Sequence, residues 1–269
     1  MKRVARRISA GLLCALVISG VVGLSVTRYS YAAQFREMPN APPSGSHFLG
    51  TDGLGRDLFT RLLYGASVSL LLAPAAALIS TLLAGLLGSF AGWEGGWWEK
   101  VILAVADLSL ALPLLFVLLA LRALLPLDIS PAASAMATFT LLGLLGWPSA
   151  LRVIWAHTHS LRNSDFLLLA EAGGCRRWRI VTQHLLPNLR AVMLAQFWIA
   201  IPVFILTEAT LSMLGLGVLE PLPSLGNLLR GLENFSSVTA NPWRLAPLIL
   251  LVLVVVCLQL VLPAQEETA

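Results

Sequence analysis

Long apolar runs alternate with short polar ones along this chain. Uncharged stretches occupy 8–27, 64–93, 129–151, 191–207 and 245–265, and a sixth run, 101–125, is interrupted only by Asp107 and Arg122. Most come close to the roughly 20 residues that cross a bilayer as a helix. Backbone amides in hydrocarbon must be satisfied within their own segment, and these runs are too long and continuous for barrel strands. The pattern predicts an all-α polytopic membrane protein with six transmembrane helices. Composition agrees: 57% of residues are hydrophobic and 12% charged, and mean hydropathy is +0.82, outside the range of soluble domains.

Lys and Arg bias sets the expected orientation. Lys2, Arg3, Arg6 and Arg7 precede span one, which places the N-terminus in the cytoplasm. Counting spans from there puts the arginine-rich island Arg152–Arg190 inside as well. The net charge of +4 then reports topology, and nucleic-acid binding is a poor reading of it. The basic start, the apolar core and Ser30-Tyr31-Ala32 also fit a cleavable signal peptide, although its loss would leave an odd five spans. Cys14 and Cys257 fall within spans and Cys175 within the island, so no disulfide framework is implied.

Three regions follow: 1–27, a cytoplasmic tip and span one; 28–64, an external loop; and 65–269, the transmembrane core with a cytoplasmic loop at 157–189. The external loop is rich in Pro, Gly and Ser. It ends in an amphipathic stretch, where Leu58, Leu62 and Leu63 alternate with Arg56, Asp57 and Arg61. Two readings of that stretch remain: a short helix lying at the membrane interface, or a surface loop whose Asp52 or Asp57 caps a helix.

The island has its own architecture. Asn163 and Ser164 are good N-cap residues, Asp165 suits a helix N-terminus, and Gly173-Gly174 is a strong stop. Phe166, Leu169, Ala170 and Gly173 fall at helical spacing, giving one apolar stripe on a helix too short to cross a membrane. A second amphipathic piece, from Arg176 to His184, leads to Pro187, expected in the first turn of span five. A helix pair tied at both ends to spans is suited to passing force to them. Its stripe fits either a protein partner or the bilayer surface, where Arg176, Arg177 and Arg179 would meet anionic lipid.

The island resembles the cytoplasmic coupling loop of binding-protein-dependent ABC importers, whose pattern is Glu-Ala-Ala, three residues, Gly, nine residues, Ile-X-Leu-Pro. Gly174 and Leu186-Pro187 hold the spacing and Ala170 keeps the second Ala; Leu168, Leu169 and His184 depart from the pattern, and Glu171 lies three residues late. His47–Tyr64, HFLGTDGLGRDLFTRLLY, resembles the segment before span two in permeases of the dipeptide, oligopeptide and nickel importer family. EATLSMLGLGVLEPLPSLGNLL at 208–229 resembles their segment after span five. With Leu112-Pro113 and Pro242-Trp243, the likeness covers about residues 47–250.

The resemblance implies the type I ABC importer permease architecture in a bacterial cytoplasmic (inner) membrane. The chain would pair with a second, homologous permease, dock two cytoplasmic ATPase subunits on the coupling loops, and receive a peptide, nickel or another small solute from an extracytoplasmic substrate-binding protein. It would bind no cofactor, since ATP belongs to the partners, and it has no GxxxxGK[ST] loop of its own. The coupling residues would be Asp165, Phe166, Leu169, Ala170, Gly173, Gly174, Arg176 and Pro187.

Ionisable groups inside spans are costly and need a role. Glu208, six residues after Pro202, is expected either to line or gate the pathway, or to pair structurally with a neighbouring helix or cap the following loop. Asp107 is expected to pair with Arg152 or another arginine on the same side. His157 and His159 face different sides of a helix, so the chain is expected to assemble no metal site. An embedded enzyme would need convergent acid, base or nucleophile groups at one depth, and none is found. A transport-degenerate permease stays open, on Leu168, on Leu225 in place of the family's usual Trp, and on the short tail QLVLPAQEETA.

Overall fold

The computed structural model describes residues 7–16, 18, 27–124, 128–165, 167, 169, 173–233 and 235–261, the side chains of 177, 178 and 235–237 excepted. These residues are overwhelmingly helical, with one isolated antiparallel bridge between Thr51 and Asp57. The helices are α1 (Arg7–Leu16), α2 (Leu58–Glu94), α3 (Gly96–Ala111), α4 (Leu114–Ala123), α5 (Pro131–Leu145), α6 (Trp147–Arg162), α7 (Arg177–Ile180), α8 (Leu186–Met213), α9 (Leu225–Leu229), α10 (Phe235–Ala240) and α11 (Ala246–Val261).

Among the described residues four helical stretches are long and apolar enough to cross a membrane: Leu58–Glu94, Pro131–Arg162, Val181–Met213 and Pro242–Val261. They overlap the expected spans two, four, five and six, each with different ends. Span three is broken, because α3 and α4 meet at an 82° bend. Pro113 lacks an N–H and disfavours helical backbone before it, and Leu112 is extended, at φ −90° and ψ 126°. Counted as one span, the bent pair makes five. Span one is described as helix over Arg7–Leu16, and 19–26 lie outside the described residues.

Of the two readings of the stretch before span two, the helix cap at Asp57 is the one present, and a separate interfacial helix is replaced by the opening of α2. Asp57 ends the loop by accepting the Thr60 N–H on Oδ2 at 2.8 Å, as an N-cap carboxylate does. Once capped, the chain runs as unbroken helix through the polar turn and on into the apolar run.

The residues fall into two compact units, each assembled from separate stretches of chain. The unit containing 75–118 and 140–200 has a core of Ala84, Ala106, Ala150, Leu151, Ile154, Leu185 and Leu189. Gly88 and Gly92 lie one turn apart on α2 where α6 passes close. A Cβ on Gly88 would stand 2.9 Å from the Leu151 carbonyl oxygen, and one on Gly92 2.8 Å from Thr158 Cβ. Small residues at such crossings let membrane helices pack closely without any hydrophobic drive between them.

The unit containing 1–74, 119–139 and 201–269 gathers the loop at 28–57, the start of α2, the segment after α8, and α11. His47 Nδ1 and Asp57 Oδ1 are 2.8 Å apart, and the rings of Tyr29 and Phe35 flank the imidazole at 5.1 and 4.9 Å. Gly55, at φ +74°, lets the chain pass where a Cβ would stand 2.1 Å from the Phe35 carbonyl oxygen.

Candidate functional site

The polar island is less of a loop than its charge suggested. Helix α6 continues through Arg152, His157 and His159 to Arg162, so only 163–176 separates it from the next helix. Asn163 is the residue after α6, and Ser164 Oγ donates to the Leu161 carbonyl oxygen. Asn163 therefore closes the preceding helix, where the sequence suggested it would open the following one, while Ser164 serves both ends. The Ser164 carbonyl begins a new turn by accepting the Leu167 N–H at 3.1 Å.

Within this segment Asp165, Leu167 and Leu169 are helical, and the Gly173 N–H donates to the Leu169 carbonyl at 2.9 Å. Asp165 is exposed, Leu169 is strongly exposed, and Leu167 is buried. Leu167 is the inward residue, one position from the expected stripe. Phe166 and Ala170, together with Leu168 and Glu171, lie outside the described residues. Gly174 takes the left-handed conformation at φ +78°, as a helix stop requires. Arg176 is exposed, and its carbonyl opens the next helix by accepting the N–H groups of Arg179 and Ile180.

From Arg177 the chain is helical without a break to Met213, with a wide π turn at Val181–Leu185. Pro187 therefore sits inside a continuous helix instead of in its first turn. The π turn explains how it is tolerated. In an α-helix the proline ring would strike the carbonyl four residues back; here the Leu186 N–H reaches back five residues to Val181, which moves those carbonyls away.

Two polar clusters brace the helices that carry the segment. Asp107 on α3 forms an ion pair with Arg152 on α6, the partner expected for it. Farther along α6, Trp155 Nε1 donates to Glu99 Oε1 at 2.9 Å, and His159 stands 3.9 Å from the same oxygen. Half-exposed charges such as Asp107 and Arg152 contribute modestly as an isolated pair. They gain value by fixing one helix against another.

Glu208 is enclosed, with no measurable exposure, so in this conformation it does not line open space. Oε1 accepts hydrogen bonds from Ser212 Oγ at 2.6 Å and Ser224 Oγ at 2.8 Å. Ser212 in turn receives the Val218 N–H at 3.3 Å. Ser224 also caps α9, since its Oγ accepts the Asn227 N–H while Asn227 Oδ1 accepts the Ser224 N–H. The carboxylate thus ties α8 to the segment 214–229, in keeping with the loop-capping reading of Glu208.

Arg122 is a residue that the sequence reading left without a role. From α4 it donates to the carbonyls of Leu216 at 3.1 Å and Gly217 at 3.2 Å, and to Ser134 Oγ. A lone arginine inside an apolar run was the available signal; its acceptors are backbone carbonyls, which no side-chain pattern reveals.

Comparison with known proteins adds to this geometry. Residues 84–265 match the family described as binding-protein-dependent transport system inner membrane component. The chain is 31% identical over 234 residues to the oligopeptide transport system permease protein OppC of Bacillus subtilis (strain 168), covering 87% of this chain and 74% of the relative. It is 32% identical over 235 residues to the dipeptide transport system permease protein DppC of the same organism, covering 87% and 71%. Identity to OppC of Mycobacterium tuberculosis (strain ATCC 25618 / H37Rv) is 35% over 224 residues, covering 81% and 74%.

Proposed function

Because the chain belongs to the family of binding-protein-dependent inner-membrane transport components, we propose that it forms half of the translocation pathway of an ATP-driven peptide importer. The chain is a multi-pass membrane permease of the ABC transporter class, not an enzyme. Peptide is the substrate class because the similar proteins are oligopeptide and dipeptide permeases. A second, homologous permease completes the pathway, two cytoplasmic ATPase subunits supply the energy, and an external binding protein delivers the cargo. The N-terminus and the segment 163–176 lie in the cytoplasm.

The observation that carries this reading is the placement of 163–176 between two long helices, Pro131–Arg162 and Val181–Met213. Anything that grips the exposed Asp165, Leu169, Gly173, Gly174 and Arg176 pulls on both spans at once. Phe166 and Ala170 are assigned to the same docking stretch by sequence alone, and Pro187 with its π turn joins the segment to α8. ATP-driven closure of the partner subunits shifts a two-state equilibrium of access, as does the loaded binding protein. Glu208 acts on the pathway through the segment it holds, 214–229.

The test is co-purification. The ATPase subunits of a peptide importer from the same organism are expressed with the wild-type chain and with Phe166→Asp combined with Leu169→Asp. Docking is expected to be lost in the variant while its helix content is unchanged. Equal recovery of ATPase in both would show that the segment is not the docking site. Stimulation of ATP hydrolysis by the wild-type chain separates an active permease from a transport-degenerate one.

A further inference from the structure

A cavity of about 430 Å³ opens in the unit that holds the loop before α2, the segment after α8 and the start of α11. Asp52, Arg56, Arg61, Glu220, Arg230 and Arg244 line it. Four arginines and two acids thus line one concave space, an excess of two positive charges among the lining residues. Arg56 and Arg61 hold both acids. Arg56 Nε meets Asp52 Oδ2 at 2.7 Å and its Nη1 meets Glu220 Oε2 at 2.6 Å, and Arg61 Nη2 donates to both Glu220 oxygens at 3.0 Å. Both arginines are buried, at 9% and 1% exposure, so the inner wall is fixed in place.

The other two arginines are more exposed. Arg244 is positioned by Asn40 Oδ1 at 3.2 Å and the Gly231 carbonyl at 3.1 Å. Arg230 is half-exposed, and its Nε lies 4.0 Å from Glu233, an acid outside the lining. A concave surface of one net sign between low-dielectric walls concentrates its field on the space it encloses. Guanidinium forks match a carboxylate with two parallel hydrogen bonds. Leu228 and Pro247 add an apolar flank, which suits an organic acid better than a fully hydrated inorganic anion.

We propose that this cavity is a binding site for a carboxylate on a peptide chain, carried either by the C-terminus of a short peptide or by an acidic side chain of a partner polypeptide. Arg230 and Arg244 would grip it, and Arg56 and Arg61 would hold the wall behind it. That the cavity opens to the outside rests on the importer reading. The binding does not.

The experiment titrates the purified full chain in detergent with three probes: Ala-Ala, Ala-Ala amide and acetyl-Ala-Glu-Ala amide, with heats of binding as the readout. Binding of Ala-Ala, the acetylated glutamyl peptide or both, with none of Ala-Ala amide, supports the site, and the probe that binds identifies the source of the carboxylate. Arg230→Gln and Arg244→Gln should each weaken that binding roughly tenfold or more, as loss of a charge-assisted hydrogen bond does. Arg230 is half-exposed, so its variant keeps the test informative if Arg244→Gln fails to fold. Binding of no probe, equal binding of the amide, or binding undiminished in Arg230→Gln would overturn the proposal. None of these outcomes bears on ATPase co-purification by the wild-type chain, which tests the importer reading separately.

Discussion

Glu208 and Gly226 meet across the turn that follows α8. A Cβ at position 226 would come within 2.6 Å of Ala209 Cα and 2.9 Å of Glu208 Oε2, so Gly226→Ala has to push α9 off α8. Glu208→Ala removes the shared acceptor of two buried hydroxyls, at a cost of about 1–3 kcal/mol for each donor left unsatisfied. Both variants are expected to lower the melting temperature in detergent and to expose 214–229 to limited proteolysis. A cleavage pattern unchanged from wild type would show that Glu208 and Gly226 do not hold 214–229 against α8. The acid itself was legible in the sequence, as an ionisable group in an apolar span. Its partners were not, because Ser224 is 16 residues away and the contact depends on how the chain turns back. Leu167 was missed for a different reason: a short stripe read at helical spacing cannot tell the inward face from the outward one when both carry leucine.

Three of the membrane-length helical stretches, Leu58–Glu94, Pro131–Arg162 and Val181–Met213, are longer than the uncharged runs that revealed them. Charge marks what faces lipid, whereas helix continues as long as capping and propensity allow, which is why α2 begins at Leu58 and α6 runs to Arg162. The bend between α3 and α4 was hidden because proline is tolerated in many membrane helices; Leu112-Pro113 was visible, but the 82° turn was not. Close packing of α2 on α6 gives the sharpest test at this scale. Gly88→Leu places a side chain where even a Cβ lies 2.9 Å from backbone. Overpacking of this kind costs about 1–3 kcal/mol or more. Reduced yield and melting temperature are expected, and wild-type values would mean that the two helices do not approach this closely in the membrane.

Sidedness is a property of the whole molecule and can be read with two cysteines. With Cys14 and Cys257 replaced by serine, Cys175 reports on the segment 163–176, and Leu54→Cys, at an exposed position, reports on the loop before α2. A membrane-impermeant maleimide applied to intact spheroplasts is expected to label Leu54→Cys at once and Cys175 only after permeabilisation. The reverse order would invert the topology. The overall plan of polytopic helices with one polar island was legible because hydrocarbon tolerates so few alternatives; the interleaving of distant stretches in each compact unit was not, since nothing local encodes it. The lengths of the two helices around the island carry one more consequence. Uncharged sequence ends at Leu151 and resumes at Ala191, yet helix extends to Arg162 on one side and begins by Val181 on the other. At 1.5 Å per residue each arm adds about 15 Å of helix beyond its uncharged run. On the proposed docking reading, a partner that engages 163–176 therefore acts through two helical arms that belong to the spans themselves.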